Sequence, residues 1–152
     1  MSLEISSPAF TNGQPIPSDF SCDGRDISPA LVWTEPPAGT QSFALILDDP
    51  DAPSGTWAHW IVFNIPAASR GLSEGLQIDA QLGNSSIQGK TSAGSTGYHG
   101  PCPPSGTHHY FFKLFALDSM LDLSVNANKK DLMAAMDGHI LANAELMGTF
   151  NH

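Results

Sequence analysis

The sequence predicts a mainly β fold with helices packed at one side. Three observations predict it. Apolar runs of strand length recur along the chain. The 14 glycines and 12 prolines fall between those runs as punctuation. After Asn128 the apolar spacing changes from the strand period to the helical one. No repeat, linker or low-complexity block interrupts the chain, so one domain over residues 1–152 is expected.

The elements follow in order. Leu3–Ser6 and Ala30–Trp33 read as short strands, the second bounded by Pro29 and by Pro36-Pro37. Phe43–Leu47 is apolar on both alternating faces, which marks a central strand covered twice. A turn with Pro53, Ser54 and Gly55 leads into a strand over His59–Ile65. Residues 72–90 carry one or two weak strands around Ile78 and Ile87. The long run His108–Leu117 puts His108, Tyr110, Phe112 and Leu114 on one face, with His109, Phe111, Lys113 and Phe115 on the other. Asn128 is a good N-cap for a helix through Leu132, Met133 and Met136 that stops before Gly138. A second helical piece is expected from His139 to Leu146, ending at Gly148.

Charge excludes some functions. With a formal net charge of −9 and six Lys+Arg, the chain lacks the basic footprint that nucleic acids and anionic membranes require. No run approaches the ~20 apolar residues of a membrane-spanning helix. MSLEISSPAF has neither the basic region nor the apolar core of an export signal, so a cytoplasmic location is expected. Cys22 and Cys102 then read as free thiols, with one long-range disulfide left open.

Two polar stretches carry chemistry. In DDPDAPSGTWAHW (residues 48–60), Asp49 and Asp51 share one side of an extended chain and Asp48 points away. Pro50 and Pro53 stiffen that segment before Trp57 and His59. In GYHGPCPPSGTH (residues 97–108), glycines allow close approach of backbone amides to a ligand, and the loop runs straight into His108 and Tyr110. Three readings fit. An anion cup would use backbone amides, histidine N–H groups and a tyrosine hydroxyl, with carboxylates orienting a histidine or accepting from the ligand's OH or amine. A metal site could use two histidines and an aspartate, though no HxH or HExxH pattern is present. A hydrolase would need Cys102 or Ser95 beside His99 or His108, without a GxSxG elbow. His109, His139 and His152 read as structural or solvated.

DPDAPSG (residues 49–55), AHW (58–60) and GPCPPSGTHHY (100–110) together resemble the phosphatidylethanolamine-binding proteins, also called Raf kinase inhibitor-like proteins. SCDGRDISPALVW (21–33) and ILANAELMGTF (140–150) are similar to the bacterial branch, so the resemblance spans nearly the whole chain. It implies a large antiparallel sheet packed on a smaller one, with peripheral helices. It also implies a small cavity for phosphate-like anions and phospholipid head groups, lined by Asp49, Asp51, Trp57, His59, Gly100, Cys102, Pro103, His108 and Tyr110. Cys102 stands where eukaryotic members have glycine. The longer C-terminal helix of those members is not expected here. The resemblance further implies a non-enzymatic protein without cofactor or metal, a possible homodimer, and protein partners such as kinases or proteases regulated by pocket occupancy. The rival functions are a phosphate-ester or Cys/His-dependent hydrolase in the same cavity, and an interaction module that binds through a loop.

Overall fold

The computed structural model describes residues 3–152, so Met1 and Ser2 lie outside it. Its strands are β1 (Ile5–Ser6), β2 (Leu31–Trp33), β3 (Ser42–Asp49), β4 (Trp57–Pro66), β5 (Gly71–Leu72), β6 (Ile87–Gln88), β7 (Thr107–Leu117) and β8 (Ile140–Asn151), with the helix α1 (Lys129–Met136) between the last two. A single 3-10 turn covers Ser18–Phe20. All pairings between these strands are antiparallel. They form a five-stranded sheet in the order β6-β4-β3-β7-β8 and a three-stranded sheet in the order β1-β2-β5.

The period-2 rule explains the layering. From β3, Phe43, Leu45 and Leu47 join Trp60 and Val62 of β4 and Tyr110, Phe112 and Leu114 of β7 in one apolar cluster. The small sheet closes that cluster with Ile5, Leu31, Trp33 and Leu72. On the opposite face Ala44, Ile46, Ile61 and Phe63 meet Leu132 and Met136 of α1. Every residue of β3 is therefore buried, as a central strand of continuous apolar character requires. The helix starts where Asn128 and Asp131 form a reciprocal capping box.

Two expected elements differ. Residues 139–146 do not form a helix; Ile140–Asn151 is a strand that pairs with β7 from Thr107 to Leu117. Ala, Leu, Glu and Met favour helix locally, but eleven registered partners on β7 outweigh a propensity difference of tenths of a kcal/mol per residue. Gly148 consequently lies within a strand opposite Tyr110 and not at a helix end. Ile78 is exposed and outside any strand, whereas Ile87 is in β6.

Candidate functional site

A bulge sets the site. Along β3 and β4, Leu47 faces Trp60 but Asp48 faces Ala58, so His59 is the extra residue on β4. A bulge re-aims side chains at the end of a ladder. Here it lets the consecutive residues His59 and Trp60 serve one side of the sheet: Trp60 enters the core beneath, and His59 enters a cavity. Asp49, at the end of β3, and His108 and Tyr110, at the start of β7, reach the same cavity by simple alternation. Its volume is about 390 Å³.

Asp49 is buried and both its oxygens are held. Oδ1 accepts from the Asp51 backbone N–H at 2.8 Å, and Oδ2 lies 2.7 Å from His108 Nδ1. His59 Nδ1 lies 2.7 Å from the carbonyl of His99. A carbonyl or an ionised carboxylate only accepts, so both imidazoles carry their proton on Nδ1. Each neutral ring then keeps Nε2 as an acceptor. Burial pushes the His59 pKa below its usual value, against the raising effects of the His99 carbonyl and of Asp49. Tyr110 lies between the rings, edge-on to His59 at 5.4 Å and stacked with His108 at 6.4 Å between centroids. Its hydroxyl is buried and meets no partner at full hydrogen-bond geometry among the described residues, although Asp49 and the Cys102 backbone lie close enough to act on it. Burial first, then the charge of Asp49 and its hydrogen-bonding reach, push the phenol pKa up against the Cys102 backbone, so it remains an O–H donor. The site thus combines one unsatisfied donor with two imidazoles whose Nδ1–H groups are committed and whose Nε2 atoms remain.

The opposite wall is the loop from His99 to Pro104. It is tied to the segment around the 3-10 turn by Tyr98 Oη–H donating to the Phe20 carbonyl and by the Gly100 N–H donating to Asp26 Oδ1. The Cys22 N–H donates to the Pro101 carbonyl, and a Cys22–Cys102 disulfide completes the seam. The expected free thiols are therefore replaced by a bond across 80 residues, and the cytoplasmic expectation loses the support those thiols lent it. Close approach also explains Gly100: a Cβ there would stand 2.1 Å from the Phe20 oxygen and 2.4 Å from Asp26 Oδ1. Gly100→Ala should cost about 1–3 kcal/mol in a urea titration, because backbone must move to admit the methyl group. An unchanged midpoint would show that the wall yields freely.

The structure brings Asp49, Trp57, His59, Gly100, Cys102, Pro103, His108 and Tyr110 together around the cavity. It does not bring Asp51 there. The Asp51 carboxylate turns outward, where the backbone N–H and ring Nδ1 of His109 hold it at 2.8 and 2.7 Å and lower its pKa. Asp51 contributes instead through the N–H that fixes Asp49. Of the histidines that a carboxylate was expected to orient, Asp49 orients His108, while a backbone carbonyl orients His59. The amide cup also changes. His99 and Gly100 N–H groups are bound within the protein, and prolines 101, 103 and 104 have none, which leaves Cys102 to offer a backbone donor. Sequence reasoning missed Asp26, which holds the wall from a left-handed backbone position at φ 55. It also missed the lining by His99 and Ser54. Asp48 points to the helix side as expected, buried between Lys113 and Lys129 at 3.1 and 2.9 Å. A groove of about 450 Å³ lined by Lys90, Lys129 and Lys130 lies on that side, but it lacks the converging buried titratable groups of the cavity.

Comparison with known proteins agrees over the whole fold. The chain is 49% identical over 148 residues to a UPF0098 protein of Methanothermobacter thermautotrophicus, covering 97% of this chain and 98% of that one. It is 46% identical to a UPF0098 protein of Aquifex aeolicus, covering 97% and 88%. Among solved structures, E. coli YBCL, described as a new member of the mammalian PEBP family, superposes with a TM-score of 0.93 at 30% identity, covering 100% and 99%. CT736 of Chlamydia trachomatis, a candidate phosphatidylethanolamine-binding protein homolog, gives 0.91 at 42% identity, covering 99% and 98%. The model of the phosphatidylethanolamine-binding protein family matches residues 6–151, from the first strand of the small sheet to the last residue of β8. Two sheets, the spacing of the motifs and the matched span all agree: this chain belongs to the phosphatidylethanolamine-binding protein family.

Proposed function

We propose that the chain is a non-enzymatic binding protein whose cavity takes a phosphate-like anion or phosphoryl head group, and that binding carries protons with it. One observation supports this most directly: the buried, unsatisfied Tyr110 hydroxyl lies between two imidazoles whose Nδ1–H groups are already committed. An anion oxygen gives Tyr110 its partner and turns each Nε2 from acceptor to donor by drawing in a proton. A ligand with an amine or hydroxyl beside its phosphoryl group can donate to whichever Nε2 stays neutral. Regulation of a protein partner, such as a kinase or protease, by occupancy belongs to this proposal and rests on the family alone.

The Cys-dependent hydrolase has no thiolate while Cys102 is bonded to Cys22. A phosphate-ester hydrolase is distinguished by turnover: an aryl phosphate that binds without being cleaved supports the binding reading, and cleavage lost in His108→Ala supports the enzyme.

Titration calorimetry with inorganic phosphate tests the site. His108→Ala should weaken binding roughly tenfold or more, since a charge-assisted hydrogen bond contributes about 1.5–3 kcal/mol. Equal affinities would remove His108 from the site. Sulfate, which does not titrate in this range, serves for the pH series. An anion prefers the imidazolium form, and burial lowers the His59 pKa in the free protein. Affinity should therefore climb as pH falls from neutral and level off once His59 is charged in the free protein. A flat profile from neutral to mildly acidic pH counts against histidine donors.

A further inference from the structure

The Cys22–Cys102 disulfide lies beside two side chains that the cavity does not use. His152 Nε2 is 2.8 Å from Asp23 Oδ1 and 3.0 Å from Oδ2, and its Nδ1 is 2.6 Å from the Pro103 carbonyl. The carbonyl and the carboxylate both accept, so the ring donates from both nitrogens, and the Asp23 bond first and the Pro103 carbonyl next raise its pKa. An imidazole held by Nδ1–H on a backbone carbonyl is the arrangement that outer partners impose on metal-binding histidines, and a metal at Nε2 would take the place of the proton now shared with Asp23. Cys22 Sγ, an Asp23 oxygen and His152 Nε2 all lie within 4.8 Å of one another, and all three residues are exposed. Around tetrahedral zinc, donors at about 2.0–2.3 Å from the metal stand roughly 3–4 Å apart. Small side-chain rotations would bring these three to that spacing. Cys102 is bonded to Cys22, so its sulfur adjoins the cluster and would supply a fourth donor once that bond opens.

We propose that reduction of the Cys22–Cys102 bond converts this cluster into a Zn²⁺ site formed by Cys22, Cys102, Asp23 and His152. In the disulfide the sulfurs are uncharged and bind metal poorly, whereas thiolates are strong ligands. A dithiol reductant supplies two electrons and becomes its own disulfide, while the S–S bond breaks and each cysteine becomes a thiol. On binding, zinc displaces the two thiol protons to solvent, and any proton on Nε2 leaves with them. The two thiolates then offset the charge of the ion. Metal occupancy is thereby gated by redox state, and by linkage zinc favours the reduced protein. Cys102 also lines the anion cavity, so the metal on one side of this wall and the ligand on the other share a residue.

The test uses the full chain reduced with a dithiol, desalted without oxygen and titrated with Co²⁺ as a spectroscopic stand-in for zinc. One equivalent should produce thiolate-to-cobalt charge transfer and the intense visible bands of tetrahedral cobalt, bleached by added Zn²⁺. Oxidised protein should show neither. His152→Ala should weaken Co²⁺ binding by roughly tenfold or more, given that even outer-shell partners are worth 10–100-fold, and Asp23→Asn should weaken it less. Because His152 and Asp23 are exposed, these variants should fold as the parent does. Absence of the charge-transfer band in reduced protein overturns the proposal. So does His152→Ala binding cobalt as tightly as the parent, or equal binding by the oxidised form.

Discussion

The double variant Cys22→Ser, Cys102→Ser is expected to lose about 4 kcal/mol of unfolding stability. A cross-link spanning 80 residues removes loop-closure entropy from the unfolded chain, and the chain-entropy model gives about 4–5 kcal/mol for a loop of that size. The native seam would remain in place, since the Tyr98–Phe20, Gly100–Asp26 and Cys22–Pro101 hydrogen bonds do not involve sulfur. The loss should therefore appear as a lower urea midpoint with the β signal of the folded state preserved. Stabilities of ordinary domains run to about 5–15 kcal/mol, so the reduced protein is expected to stay folded at moderate temperature. A loss below about 1 kcal/mol would mean that the unfolded chain is already restrained between these two points.

Asp49→Ala should cost about 2–3 kcal/mol of stability and weaken phosphate binding roughly tenfold, despite removing a negative charge from an anion site. A hydrogen bond to an ionised group contributes about 1.5–3 kcal/mol, and its loss leaves His108 Nδ1 and the Asp51 N–H without their partner. The carboxylate also supports the imidazolium that an anion needs beside it, much as an aspartate orients and stabilises a catalytic histidine. Urea titrations and phosphate calorimetry on the same preparation separate the two effects. Tighter phosphate binding in the variant would show that repulsion by Asp49 outweighs its support of His108.

The strands that build the cavity were legible where sheet burial imposes its own period. β3 reads as continuous apolar residues because both faces are covered, and β7 alternates because one face is more open. β8 was not legible. Its Ala, Glu, Leu and Met residues satisfy the helix locally, and its register is written in β7, not in its own sequence. The site residues were visible as a set, but their wiring was not. The Asp49–His108 contact joins residues 59 apart, and the bulge that turns His59 inward follows from one extra residue in a ladder. Asp51 shows the limit of reasoning by alternation: β3 ends at Asp49, and beyond it the chain turns, so the two-residue period no longer applies.

The outer edge of β8 has a consequence for how the molecule is made. Residues 12–16 lie along it, with backbone bonds joining Gly13 to Met147, Ile16 to Thr149, and Thr149 to Gln14. Asn12 adds a side-chain bond to the Met147 N–H, across 135 residues. An uncovered edge strand invites pairing with another chain, and this cover comes from the opposite end of the sequence. During synthesis residues 12–16 emerge well before β8 and have no place to dock until it follows α1. Both cysteines have been made by then, so the cross-link can form before the edge is sealed. Sealing the edge therefore joins segments 135 residues apart, and a ribosome that stalls before residue 140 releases a molecule whose seam can close but whose β7 edge is bare.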